Sequence, residues 1–130
     1  MKNESAKIAY QDQNFTLMIE NEAVYVGNIV YECFRRSIPM HVHSDNSYEI
    51  HYISSGHGFV NVDASEYEVL PNTLYITGPH VEHSMIPDPA NPLTEYCVYL
   101  KLSGRNKGSA QHTLMQRFRD TTCWYGPDRH

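Results

Sequence analysis

The sequence predicts an all-β domain, a sandwich or barrel of short strands, followed by a short helix near its end. Three observations lead there. Short runs rich in β-branched and aromatic residues recur between residues 15 and 102, with turn residues between them. No stretch before residue 105 places apolar residues at helical spacing. The length of 130 residues, with 41% hydrophobic and 19% charged residues, suits one packed domain and argues against wholesale disorder.

The elements follow in order. Phe15 to Ile19, Asn28 to Phe34 and Tyr48 to Ile53 read as strands. Gly58 to Asp63 and Tyr67 to Leu70 flank Ala64-Ser65-Glu66, the expected turn of a hairpin. Thr73 to Thr77 follows a turn at Pro71-Asn72, and Glu95 to Leu102 comes after the breaker-rich loop from Pro87 to Pro92. This regular spacing of strands and turns favours a sandwich or barrel over βαβ units. After residue 105 the character changes. Ser109 is a candidate N-cap, Leu114, Met115 and Phe118 share one helical face, and Arg117 and Arg119 suit the C-terminal end of the helix dipole. Trp124 and Tyr125 are expected to pack back on the barrel.

Charge narrows the function. Ten Lys+Arg against fifteen Asp+Glu leave a net charge of −5, which argues against direct nucleic-acid binding, since that rests on neutralising phosphates. No apolar run approaches the ~20 residues of a membrane span, and the polar start lacks a secretory h-region. Cys33, Cys97 and Cys123 show no C-x-x-C spacing and read as small buried residues of a cytoplasmic protein.

Eight histidines stand out, six of them between His41 and His83. In His41-Val42-His43 the two imidazoles fall on one face of an extended chain, as two ligands of one metal would. Glu49 opens the next strand, Gly56 follows, and Pro79-His80-Val81-Glu82-His83 supplies a later histidine after a proline turn. Three imidazoles and one carboxylate suit Zn, Ni, Fe or Mn. His51 lies two residues beyond Glu49 and shares its face, as a partner of the ligands or a pocket residue. His57 and His80 are expected at the surface.

His41-x-His43 with Glu49 and Gly56 resembles the first cupin motif, and Pro79-x-x-x-His83 resembles the end of the second. The surrounding text, from Tyr48-Glu49-Ile50-His51-Tyr52 through Leu74-Tyr75-Ile76-Thr77-Gly78-Pro79 to His83-Ser84, is similar to the N-terminal effector-binding domain of AraC-type transcription regulators. The resemblance spans residues 28–102. Five residues separate His43 from Glu49, longer than the usual metal-binding pattern, and His80 stands where glycine is common. The resemblance implies a cupin-like double-stranded β-helix, a jelly-roll barrel, over residues 25–104. Residues 1–24 would form an N-terminal arm or edge strand. Residues 105–130 would begin a helical dimerisation and linker segment, with the DNA-binding domain absent from the chain.

The function so implied is sensing of a small-molecule effector, such as a sugar, by a homodimer that controls an attached DNA-binding domain. It is not an enzyme on this reading. The alternative is a stand-alone metal-dependent cupin enzyme, a dioxygenase or isomerase. Ligand-binding candidates are His41, His43, Glu49, His51, Tyr75 and His83; metal candidates are His41, His43, Glu49 and His83. By strand phase, Glu49, His51 and Ile53 face one way and Tyr48, Ile50 and Tyr52 the other, towards a second layer or a partner subunit.

Overall fold

The computed structural model describes residues 7–10, 15–19, 22–42, 47–102 and 124–125. Its described secondary structure is entirely β: β1 (Lys7–Tyr10), β2 (Phe15–Ile19), β3 (Glu22–Phe34), β4 (Ile38–His41), β5 (Ser47–Ser55), β6 (Gly58–Val62), β7 (Ser65–Val69), β8 (Thr73–Thr77), β9 (His83–Pro87), β10 (Leu93–Leu102) and β11 (Trp124–Tyr125). The helix expected after residue 105 lies outside the described residues. A seven-stranded antiparallel sheet runs β1-β3-β10-β5-β8-β11, with β2 also on β3; a four-stranded sheet runs β4-β9-β6-β7. This is the predicted jelly roll.

Strand β9 is not among the strands expected from the sequence, and two further elements differ from the expectation. Strand β3 begins at Glu22 rather than Asn28. Gly27 suggests a break there, but the ladder passes it by a register slip: Tyr99 pairs with Asn28 and Leu100 with Val26, so Gly27 is the skipped residue of a bulge. The β6–β7 hairpin turns at Asp63-Ala64 rather than over 64–66, with Val62 paired to Ser65 and φ values of 51° and 68°. Positive φ at both central residues fits the right-handed twist of a two-residue hairpin, and the missing glycine hides the turn from a sequence reading.

The sheets pack through their inward residues. Ile53 of β5, Tyr75 of β8 and Leu93 of β10 meet Val60 of β6, Val69 of β7 and Met85 of β9 in one buried cluster. Tyr48, placed by its phase on the outer face, is nonetheless buried, in a second cluster with Val24, Val26 and Leu100. It is not presented to a partner subunit. Tyr52, in the same phase, is exposed and hydrogen-bonds Asn72 Oδ1 at 2.6 Å. β11 returns the chain to the barrel, Trp124 pairing with Tyr75 and Tyr125 with Leu74.

Gly56 closes the apolar end. Its φ is 97°, and a Cβ there would stand 2.0 Å from the Pro92 carbonyl oxygen and 2.6 Å from its carbon. Backbone cannot swing aside as a side chain can. Gly56→Ala is therefore expected to cost more than about 2 kcal/mol in urea unfolding. Gly27→Ala, whose Cβ meets nothing within 4 Å, is expected to stay within about 0.5 kcal/mol. Equal effects of the two substitutions would contradict this account.

Candidate functional site

The inner face of the large sheet changes character along each strand. On β5 the inward residues run Ile53, His51, Glu49; on β8, Thr73, Tyr75, Thr77; on β10, Leu93, Glu95, Cys97. Registers align these rows, with His51 opposite both Cys97 and Tyr75, and Glu49 opposite both Tyr99 and Thr77. The period of two thus sets polar groups side by side beyond the apolar cluster. From the small sheet β9 contributes His83, which pairs with His41 of β4. A cavity of about 230 Å³ lies here, lined among others by His41, Glu49, His51, Tyr75, His83 and Glu95.

The three histidines differ in what holds their Nδ1 atom. In His83, Nδ1 lies 2.9 Å from the Val81 carbonyl oxygen; in His41, it lies 2.8 Å from that of Pro39. A carbonyl only accepts, so both rings donate from Nδ1, and in the neutral ring the lone pair is on Nε2. His83 Nε2 stands 3.6 Å from Glu49 Oε2, and the two rings pack with centroids 4.1 Å apart.

His51 is held differently. Its Nδ1 donates to the Glu95 carboxylate, and its Nε2 lies 3.0 Å from both Glu49 Oε2 and Thr77 Oγ1. The ring stacks on Tyr75, centroids 4.2 Å apart and planes 7° from parallel. Burial disfavours the charged imidazole, but Tyr75, the Glu95 carboxylate and Cys97 outweigh it and raise its pKa well above the ordinary histidine value. The Tyr75 hydroxyl is itself pushed up, chiefly by burial, so the formal charge facing His51 comes from the carboxylates. Burial likewise raises Cys97 and Tyr99. Glu32 on β3 is also raised by burial, offset in part by Lys7 3.6 Å away on β1.

Of the predicted site residues, His41, Glu49, His51, Tyr75 and His83 come together around this cavity; His43 lies outside the described residues. The long spacing before Glu49 does not turn it away, since it is buried and aimed inward. His80 is exposed, with φ 61°. His57, partly exposed, reaches Glu68 at 2.9 Å on the surface. Sequence reasoning missed Glu95, Cys97, Thr77 and Tyr99. The signal for the first two was the alternation of the β10 strand, which puts Glu95 and Cys97 in one phase with Leu93.

A metal fits part of this set. Donor atoms of His41, Glu49 and His83 all lie within 4.8 Å of one another, a nitrogen and oxygen set of the kind that holds Zn, Ni, Fe or Mn. Bound there, a divalent ion would act as a Lewis acid towards a ligand oxygen.

The family model for the AraC-like ligand binding domain matches residues 30–118, more than half of the chain. The chain belongs to this family. No curated protein sequence gives a significant match. Among solved structures, the AraC-like chain is similar to a cupin protein from Bacteroides fragilis, at 21% identity, TM-score 0.54, 84% of this chain and 92% of that one. It is similar to a cupin superfamily protein from Desulfitobacterium hafniense, at 13% identity, TM-score 0.58, 78% of this chain and 81% of that one. A third, from Thermotoga maritima and described as a predicted oxalate decarboxylase, gives 14% identity, TM-score 0.54, 72% of this chain and 98% of that one. These likenesses establish the cupin fold of the AraC-like domain. Among the described residues no helix is long and apolar enough to cross a membrane.

The His51–Glu95 pair gives a direct stability test of the AraC-like interior. Glu95→Ala leaves the buried ring short of its counter-charge and is expected to cost about 3 kcal/mol in urea unfolding. In the double variant with His51→Ala the losses are expected to fall short of additive by at least about 1 kcal/mol. Additivity within about 0.3 kcal/mol would show that the two groups do not interact.

Proposed function

We propose that this chain is the small-molecule sensing and dimerisation domain of an AraC-type transcription regulator, with its effector bound in the cavity between the sheets. The observation that carries the reading is the cavity itself: histidine, glutamate and tyrosine side chains converge on a half-open pocket in a domain of a ligand-binding family. Paired donors and acceptors of this kind suit the hydroxyls of a sugar or the oxygens of a small acid. Tyr75 lines one wall with its phenol, and the Glu49 and Glu95 carboxylates, held by His51, accept. Lys7 on β1 lines the same cavity and pairs with Glu32. That contact ties the N-terminal strand to the effector site, so an effector that favours one placement of β1 would shift the population of arrangements open to an attached DNA-binding domain. The acidic domain itself makes no nucleic-acid contact on this reading, and residues 105–130 carry dimerisation.

The alternative is a metal-dependent cupin enzyme, and the His41, Glu49 and His83 cluster is the observation that favours it. Recovery of the bound compound separates the two, because a sensor returns its ligand unchanged.

Thermal unfolding with panels of neutral sugars, polyols and small carboxylic acids, each with and without zinc, tests the proposal. At least one class is expected to raise the midpoint, by the equivalent of about 2.7 kcal/mol at a hundredfold excess over Kd. The shift is expected to vanish in His83→Ala and Glu49→Gln and to survive in Tyr52→Ala. A panel without effect, or a shift unchanged in both cavity variants, would overturn the reading.

A further inference from the structure

Cys97 has no part in the function proposed above, yet it stands in the middle of the polar row. β10 sets it directly opposite His51, and Glu49 is the next inward residue on β5. Glu49, His51 and Cys97 are all buried, and each offers a donor atom within 4.8 Å of the other two. This cluster shares Glu49 with that of His41, Glu49 and His83 and differs from it in the other two residues.

We propose that Glu49, His51 and Cys97 form a second metal site, selective for a thiophilic divalent ion of the zinc type. Three features of the geometry support it. Thiolate, imidazole and carboxylate together are a donor set that zinc accepts and that magnesium and calcium do not. Glu95 holds Nδ1 of His51, the arrangement in which a carboxylate orients a metal-binding imidazole and leaves Nε2 to the ion. Nε2 already stands 3.0 Å from the Glu49 oxygen, close to the separation of neighbouring ligands around a tetrahedral ion. Stacking on Tyr75 fixes the ring plane, and the cavity that reaches Glu49 and His51 provides the entry path.

Binding is an exchange. The thiol proton of Cys97 and the proton on His51 Nε2 leave to solvent as the dication enters, and no oxidant or reductant takes part. The site goes beyond effector sensing: it would make the same domain respond to a metal, whatever the chemistry of the organic ligand.

Cobalt(II) is the probe, titrated into the chelator-treated, reduced 130-residue chain. The expected result is a saturable thiolate-to-cobalt charge-transfer band in the near ultraviolet that persists in His41→Ala, Cys33→Ser and Cys123→Ser and is lost in Cys97→Ser. Glu95→Gln is expected to keep the band but weaken cobalt binding by about 10–100-fold. A band that survives Cys97→Ser overturns the proposal, as does cobalt bound with ligand-field bands alone, or no cobalt binding. Ligand-field bands abolished by His83→Ala would place the ion at the other cluster and leave the sensing proposal intact. If Cys97→Ser does not fold, zinc X-ray absorption of the Cys33→Ser/Cys123→Ser chain decides the matter. One sulfur neighbour at about 2.3 Å supports the site, and only nitrogen and oxygen neighbours overturn it.

Discussion

A charged imidazole held between two carboxylates inside a β-sandwich is the interaction on which the rest of this structure depends. His51, Glu49 and Glu95 are each less than a tenth exposed, and any one of them charged and alone in that place would cost several kcal/mol. The imidazolium lies against both carboxylates and offsets part of their charge. Their mutual placement is a matter of strand register: β5 sets Glu49 and His51 two residues apart on one face, and β10, one strand over, brings Glu95 to the other ring nitrogen. A slip of one residue in either strand would bury the wrong phase and separate the charges. Register, core packing and electrostatics are therefore satisfied by a single arrangement.

The barrel divides its interior lengthwise. At one end the sheets interdigitate through Ile53, Leu93, Val60 and Val69, with Gly56 pressed against Pro92 where no side chain fits. Towards the other end the same strands present imidazoles, carboxylates and phenols around open space. The apolar end supplies stability and the polar end forgoes some of it, a division expected of a domain that binds a ligand. His41 and His83 reach this space from the small sheet, while Glu49 and His51 reach it from the large one. A ligand seated there would touch both sheets at once, and Lys7 of β1 as well.

Much of this was legible in the sequence. Strand and turn spacing was enough to predict a sandwich or barrel; the resemblance carried by His41, Glu49 and His83 with their surroundings implied the jelly roll and gathered five residues of the cavity wall, His41, Glu49, His51, Tyr75 and His83. What escaped was non-local. Glu95 carries no motif, and its partner is 44 residues away, so only the pairing of β10 with β5 reveals it. Phase placed Tyr48 on the outer face correctly, but phase alone does not report whether that face is covered; here Tyr48 is buried in a cluster with Val24, Val26 and Leu100. The Asp63-Ala64 turn was hidden because its positive φ values fall on residues that rarely advertise them.

The central claim is that the role of each cavity histidine follows from its Nδ1 partner: a backbone carbonyl fixes the proton of His41 and His83 on Nδ1 and leaves the Nε2 lone pair for a ligand or metal, and a carboxylate turns His51 into a charged bridge. Long-range nitrogen–proton NMR spectra of the imidazole rings in the metal-free chain test this most directly. The account predicts that His41 and His83 carry their proton on Nδ1 in the neutral ring and that His51 carries one on each nitrogen at neutral pH. Protonation of His41 and His83 on Nε2 instead, or a neutral His51, would contradict it.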